Sequence, residues 1–315
     1  MTYAIQTKNL SRSFGAVKAV DGLSINVQTG SVFGFLGPNG SGKTTTIRLL
    51  LGLLEADSGN AKVLGFDTQA AGDEVRLRCG ALLEHSGLYE RLSAEDNLNF
   101  YGRIWHLPKQ ERNERVKGLL TDMGLWERRN EQIGKWSRGM KQKLAIARTL
   151  LHRPKLIFLD EPTAGLDPIA SAALHEDLSN LAQREGVTIF LTTHNLAEAE
   201  KLCHEVGVIR QGKLLAVGAL DELRKQAGGP RVDITGTNFS EAVLAQLRQQ
   251  EQVVDAHPQN GKLVIHLKQT REIAPLIRML VHAGAQIEEV RKDNANLEET
   301  FLALVNNHND EEEIV

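Results

Sequence analysis

The chain has 315 residues, 41% of them hydrophobic and 24% charged, with a formal net charge of −3 and a pI of about 6.4. So balanced a charge offers no general attraction to nucleic acid or to anionic lipid, and no uncharged apolar run reaches the roughly 18 residues that span a bilayer. The length suits one large domain with a small one, or two medium domains. Met1 to Ile5 lacks the basic-then-apolar order of a signal peptide. Cys79 and Cys203 have no close spacing and are expected to be free buried thiols of a cytosolic protein.

In chain order, residues 3–10 alternate weakly and predict an edge strand, while residues 23–27 alternate better and predict a second strand. Between them Ser13, Phe14 and Gly15 predict a loop whose ring either stacks on a nucleotide base or belongs to the core. Residues 31–36 are a short apolar run with the pattern of a buried strand. That run leads into Gly37, Pro38, Asn39, Gly40, Ser41, Gly42, Lys43 and Thr44, which fit the phosphate-loop pattern G-x-x-x-x-G-K-[ST]. A helix predicted over residues 45–54 completes the strand, glycine turn and helix that the motif needs. The glycines let the backbone turn tightly and aim N–H groups at phosphate oxygens, and the helix N-terminus favours negative charge. Lys43 can reach the β- and γ-phosphates, and Thr44 can ligate Mg²⁺ through its hydroxyl.

Residues 59–65 predict a turn into another strand, and residues 79–83 a short strand followed by Glu84, His85 and Ser86. From about residue 88 to 150 the pattern turns helical. Ser93 with Asp96 resembles a capping box, Leu98, Tyr101 and Trp105 recur at helical spacing, and residues 112–123 form a further amphipathic stretch. An uninterrupted helical block inside an α/β pattern predicts a helical subdomain. Ser137 is placed to cap a helix over residues 141–151. Residues 155–161 form an apolar strand ending in Asp160 and Glu161, residues 187–191 the next, ending in Thr192, Thr193 and His194, and residues 206–217 a hairpin. Gly228, Gly229 and Pro230 punctuate the chain most clearly and predict a domain boundary, giving domains 1–228 and 229–315. The second domain predicts strand 231–235, helix 240–250, strand 253–256, a turn at Asn260-Gly261, strand 262–267, helix 273–283, strand 287–291 and helix 296–305. Strand–helix–strand twice over is the split βαβ of a small α+β, ferredoxin-like domain. The acidic end over residues 308–312 predicts a solvated tail.

Two acids at the end of an apolar strand, beyond a phosphate loop, form the second half of a nucleoside-triphosphate site. Asp160 is suited to hold Mg²⁺ through water, and Glu161 to polarise an attacking water. The order and spacing of residues 37–44, of Trp136 to Gln142, of Leu156 to Glu161, of Ala164 to Asp167 and of His194 resemble the ATPase subunit of ATP-binding-cassette (ABC) transporters, over roughly residues 3–225. The tail, above all Asn296 to Leu302, resembles the accessory domain behind exporter-type ATPases. The resemblance implies an α/β P-loop NTPase core with a helical subdomain, followed by the ferredoxin-like domain.

It also implies roles. Phe14 stacks on adenine, and Gly40, Ser41, Gly42, Lys43, Thr44 and Thr45 bind phosphate. Thr44, Asp160 and Glu84 ligate Mg²⁺, Glu161 is the general base and His194 contacts the γ-phosphate. Ser137 and Gly139 act in trans on nucleotide held by a second ATPase domain, and Asp167 lies on the loop that crosses between the two. The implied cofactors are ATP and Mg²⁺. The implied partners are a transmembrane permease subunit and a second copy of the ATPase, or a second ATPase chain, with no nucleic acid. The implied location is cytoplasmic, on the inner face of the cell membrane.

Three positions depart from the family's pattern. Arg138 stands where glycine is usual and Met140 where glutamine is; Arg138 either adds positive charge near phosphate or points to solvent, the second being favoured. Glu84 takes the place of a glutamine, and it can ligate Mg²⁺ but cannot donate a hydrogen bond when ionised. The reading is an ATP-hydrolysing subunit that energises a membrane exporter through MgATP-dependent dimerisation. The alternatives are an importer ATPase, or a soluble ABC ATPase acting on DNA or ribosomes. The latter is disfavoured by the missing coiled coils, paired cassettes and basic patches. For the tail, a docking or dimerisation platform is favoured over a ligand sensor, which rests on fold analogy alone.

Overall fold

The computed structural model of the protein describes residues 2–226, 230–259, 261–268 and 273–294. The expected helix over 296–305, the motif from Asn296 to Leu302, the acidic end, Gly228, Gly229 and Asn260 lie outside the described residues. The chain divides into two units between Val217 and Gly218.

The first unit opens with β1 (Tyr3–Phe14), β2 (Val17–Leu23) and β3 (Asn26–Gln28). Contrary to the expected edge strand, β1 is interior: β2, β3 and the later β5 all pair with it antiparallel. Its alternation reads weakly because its pairing with β2 shifts register around Arg12, and Asn9 adopts a φ of 48°. Such bulges re-aim side chains and break the period of two. The single strand expected over 23–27 is broken at Ser24-Ile25. There Thr7 Oγ1 donates to Leu23 O and accepts from Ile25 N, both at 2.9 Å, beside the backbone bond from Thr7 N to Ile25 O.

Then come β4 (Val32–Leu36), α1 (Lys43–Leu50), β5 (Ser58–Val63), β6 (Phe66–Asp67), α2 (Gly72–Arg78) and β7 (Cys79–Leu82). The helical subdomain holds α3 (Ala94–Ile104), α4 (Lys109–Asp122) and α5 (Arg138–Leu150). Ser93 caps α3, accepting from Asp96 N at 3.0 Å; its own hydroxyl donates to the Asp96 carboxylate at 2.7 Å, so the box closes through side chains. The chain returns through β8 (Leu156–Asp160), α6 (Pro168–Glu185), β9 (Thr188–Thr193), α7 (Leu196–Leu202), β10 (Glu205–Arg210) and β11 (Lys213–Ala219).

Six of these strands make one sheet in the order β11-β10-β4-β9-β8-β7. The run β10-β4-β9-β8-β7 is parallel throughout. Parallel strands covered on both faces read as continuous apolar runs, and every residue of β4 and β9 is buried. Phe33, Phe35 and Phe158 pack around Phe190 with ring centroids 5.5–5.6 Å apart. This order has a functional consequence. The carboxyl ends of β4, β7, β8 and β9 emerge on one side of the sheet, and that is where open α/β sheets bind ligands.

Beside the helical subdomain, the His152 ring stacks on Trp105 with centroids 3.8 Å apart, and its Nε2 lies 3.1 Å from Cys79 O. Burial, helped by the nearby Arg115 and Arg148 cations, lowers its pKa from 6.5 to about 4. Between those values the unfolded chain binds the extra proton and the folded chain does not, so stability falls as pH drops through this window. His152→Phe keeps the stack and removes the proton. Its melting temperature should therefore fall less than the wild type's between about pH 7 and about pH 5. Equal falls would mean that His152 does not set the acid sensitivity.

The second unit carries α8 (Leu220–Gln226), β12 (Pro230–Thr237), α9 (Glu241–Arg248), β13 (Val253–Gln259), β14 (Lys262–Leu267), α10 (Ala274–His282) and β15 (Gln286–Asn294). The sequence placed the boundary after Gly228; the units instead divide ahead of α8. The sheet order is β13-β14-β12-β15, antiparallel at every pairing. β12 and β13 therefore run parallel with β14 between them, which is the split βαβ of a ferredoxin-like sheet. Val232, Ile234, Leu244, Leu247, Leu263 and Leu280 belong to its core.

Candidate active site

The loop between β4 and α1 is shaped by what its glycines lack. Gly42 has φ 109°, and a side chain there would be driven into Ala19 O. A Cβ at Gly37 would sit 2.6 Å from Ser41 Oγ and closer still to Ile209 O. Below this bare backbone the Lys43 ammonium, almost wholly buried, donates to Gly37 O at 2.8 Å and Pro38 O at 3.1 Å. It also lies 3.2 Å from Glu161 Oε1.

β8 and β9 supply the acids and their supports. Thr44 Oγ1 donates to Asp160 Oδ2 at 2.7 Å, and Thr192 Oγ1 to Asp160 Oδ1 at 2.5 Å. Asp160 and Thr192 are partners in the parallel register. Glu161 has a φ of 50°, a left-handed conformation that costs a non-glycine residue about 1–3 kcal/mol. Its backbone N–H, bonded to both Thr192 O and Thr192 Oγ1 at 3.1 Å, holds it there. From this position Glu161 Oε2 accepts from His194 Nδ1 at 2.7 Å.

A cleft of about 700 Å³ opens over these groups, floored by the phosphate loop and walled by Glu84, Asp160 and Glu161. The donors suit a triphosphate. The buried Ser41 hydroxyl has no hydrogen-bond partner among the described residues, and the Lys43 ammonium and the loop N–H groups are further donors for phosphate oxygens. The paired oxygens of Thr44 and Asp160 suit a hard divalent cation. No group of three or more His, Cys, Asp or Glu able to hold a metal occurs among the described residues, so nucleotide and water must complete the coordination of any such ion.

The remaining expected residues are spread more widely. Phe14 ends β1 half-exposed, so it is no core residue. The Arg12 guanidinium lies 5.1 Å from its ring centre, and Val17, its strand partner, borders the cleft in its place. Ser137 caps α5 by accepting from Met140 N at 3.3 Å, and Gly139 packs against Ala170. Asp167 caps α6 by accepting from Ala170 N at 2.8 Å. None of these four lines the cleft. Arg138 is exposed to solvent, as favoured, and it also stands near the site. Its guanidinium occupies the space that a side chain at Gly165 would fill, and it borders the cleft beside Lys141.

Three supporting residues escaped the sequence reading: Thr192 on Asp160, Gln142, whose Nε2 donates to Pro162 O at 2.7 Å, and the buried Glu198 discussed below. Thr192 left a signal as a hydroxyl at the end of the strand next to the acids, and Gln142 as the end of the segment from Trp136 that carries the resemblance; Glu198 left none.

Fold and site together define a P-loop ATPase. A family model described as ABC transporter matches residues 20–164, and one described as ATP-binding protein DrrA1-3-like, C-terminal domain, matches residues 218–305. The bacitracin transport ATP-binding protein BcrA of Bacillus licheniformis is 36% identical over 311 residues, covering 97% of this chain and 98% of its own length. The daunorubicin resistance ATP-binding protein DrrA3 of Streptomyces coeruleorubidus is 35% identical over 303 residues, covering 96% and 95%. A solved ATP-binding subunit of an ABC transporter, 33% identical, superposes with a TM-score of 0.64 over 72% of this chain and 94% of its own. The chain belongs to the ATP-binding subunits of ABC transporters.

Proposed function

We propose that this chain pairs around MgATP and hydrolyses it to drive a membrane exporter. The observation that carries this reading is the placement of Glu161 between Lys43 at 3.2 Å and His194 at 2.7 Å, beside the Thr44–Asp160 pair. The near full-length likeness to proteins named for bacitracin transport and daunorubicin resistance supports the direction of transport.

Lys43 and the loop N–H groups grip the β- and γ-phosphates. Thr44 and Asp160, with Glu84 as a further ligand, would hold Mg²⁺, which when bound would supply neutralisation of phosphate charge and polarisation of the γ-phosphoryl group. Glu161 takes a proton from the attacking water, while His194 fixes the carboxylate and contacts the γ-phosphate. Phe14 stacks on adenine. Ser137 and Gly139 of one copy cap the nucleotide of the other, and Asp167 joins the two. The C-terminal unit serves as a docking or dimerisation platform. The permease is a separate membrane subunit on whose cytoplasmic face the pair sits.

Inside-out vesicles carrying the chain and its membrane subunit test the direction. MgATP should drive a drug such as daunorubicin into them. ATP-driven entry into right-side-out vesicles, dependent on an external binding protein, would instead mean import.

A further inference from the structure

α7 carries a carboxylate with no place in the chemistry above. The Glu198 side chain is fully buried, yet it accepts three side-chain hydrogen bonds. Thr163 Oγ1 reaches Oε1 at 2.9 Å, His175 Nε2 reaches the same oxygen at 3.2 Å, and Thr193 Oγ1 reaches Oε2 at 2.5 Å. Three donors satisfy its oxygens, but replacing buried charged groups by apolar ones of similar volume is often neutral or stabilising. What the acid provides is therefore geometry.

The donors identify what is being held. Thr163 follows Glu161 by two residues, and the intervening Pro162 stiffens the link. Thr193 immediately precedes His194, and its hydroxyl also accepts from Asn195 N at 2.9 Å. His175 lies on α6, whose N-terminus Asp167 caps by accepting from Ala170 N. One buried carboxylate thus ties together the segment after Glu161, the segment before His194 and the helix that begins at Asp167. The strained backbone of Glu161 needs such over-determination to persist.

We infer that Glu198 is a positioning residue that sets the distance between Glu161 and His194 and links both to α6. The inference rests on the assignment of Glu161 as the base. Glu198→Gln keeps the volume but replaces one acceptor by a donor, and Thr193 Oγ1, already accepting from Asn195 N, is poorly placed to receive it. In the full-length chain this substitution should lower kcat for ATP about 10-fold or more, as loss of an orienting partner does. The KM for ATP should stay within about twofold. Combined with Glu161→Gln it should cause no further loss, because both act on one step. Should Glu198→Gln fail to fold, Thr163→Val deletes a single donor and is read in the same way. A kcat within about twofold of wild type, a rise in KM alone, or losses that multiply in the double variant would each overturn the assignment. If the wild type fails to hydrolyse ATP, or Glu161→Gln retains full activity, the site reading itself falls first.

Discussion

Glu161→Gln should slow ATP hydrolysis by about 100-fold or more while leaving MgATP bound. The amide has the shape of the carboxylate, so its oxygen can still accept from His194 Nδ1, but it cannot take a proton from water. It also drops the negative charge 3.2 Å from Lys43, which frees the ammonium for phosphate oxygens. Binding should hold or tighten as chemistry stops. In the proposed cycle cleavage reopens the pair, so the paired state should accumulate, and it would appear as a shift to twice the mass in size-exclusion runs with MgATP. Phosphate release gives the rate. Wild-type turnover in this variant would remove Glu161 from its role, and a low rate without pairing would place the dimer contacts elsewhere.

How much of this could be read beforehand depends on how local each feature is. The phosphate loop is one contiguous segment, and the glycine positions that backbone sterics demand are visible as letters. Asp160 and Glu161 were legible because a buried parallel strand leaves an unbroken apolar run before them. The ferredoxin-like order of the second unit followed from segment pattern alone, although β12, β13 and β15 run longer than expected. What could not be read lies between segments. The interior place of β1 was hidden by its bulges. Helix α6 went unnamed despite Asp167 at its cap, Pro168 in its first turn and a left-handed Gly186 at its end, because alanines and polar residues dilute its apolar stripe. Glu198 stands between two alanines on a seven-residue helix, outside any motif that would mark it. Only the meeting of hydroxyl and imidazole donors from three segments of the chain singles it out. Arg138 drew notice only as a departure, and its position depends on Gly165, 27 residues away, having no side chain.

Lys43→Met should abolish nucleotide binding in a chain that still folds. Methionine is a comparable helix former of similar length, so α1 should keep its first turn. Without the ammonium, the carbonyls of Gly37 and Pro38 lose a donor, and Glu161 keeps His194 and partial access to water. These bonds are charge-assisted too, so the loss of stability is about 1.5–3 kcal/mol. Toward a triphosphate the same change removes charge-assisted bonds worth about 1.5–3 kcal/mol each, or roughly 10- to 100-fold in affinity per bond. Thermal melts separate the two effects. MgATP should raise the wild-type melting temperature, since a ligand that binds only the folded state stabilises it by mass action. It should raise that of Glu161→Gln at least as much, and that of Lys43→Met hardly at all at equal nucleotide. A full shift in Lys43→Met would mean that the phosphates are gripped by some other group, and the roles given to Thr44, Asp160 and Glu161 around them would have to be redrawn.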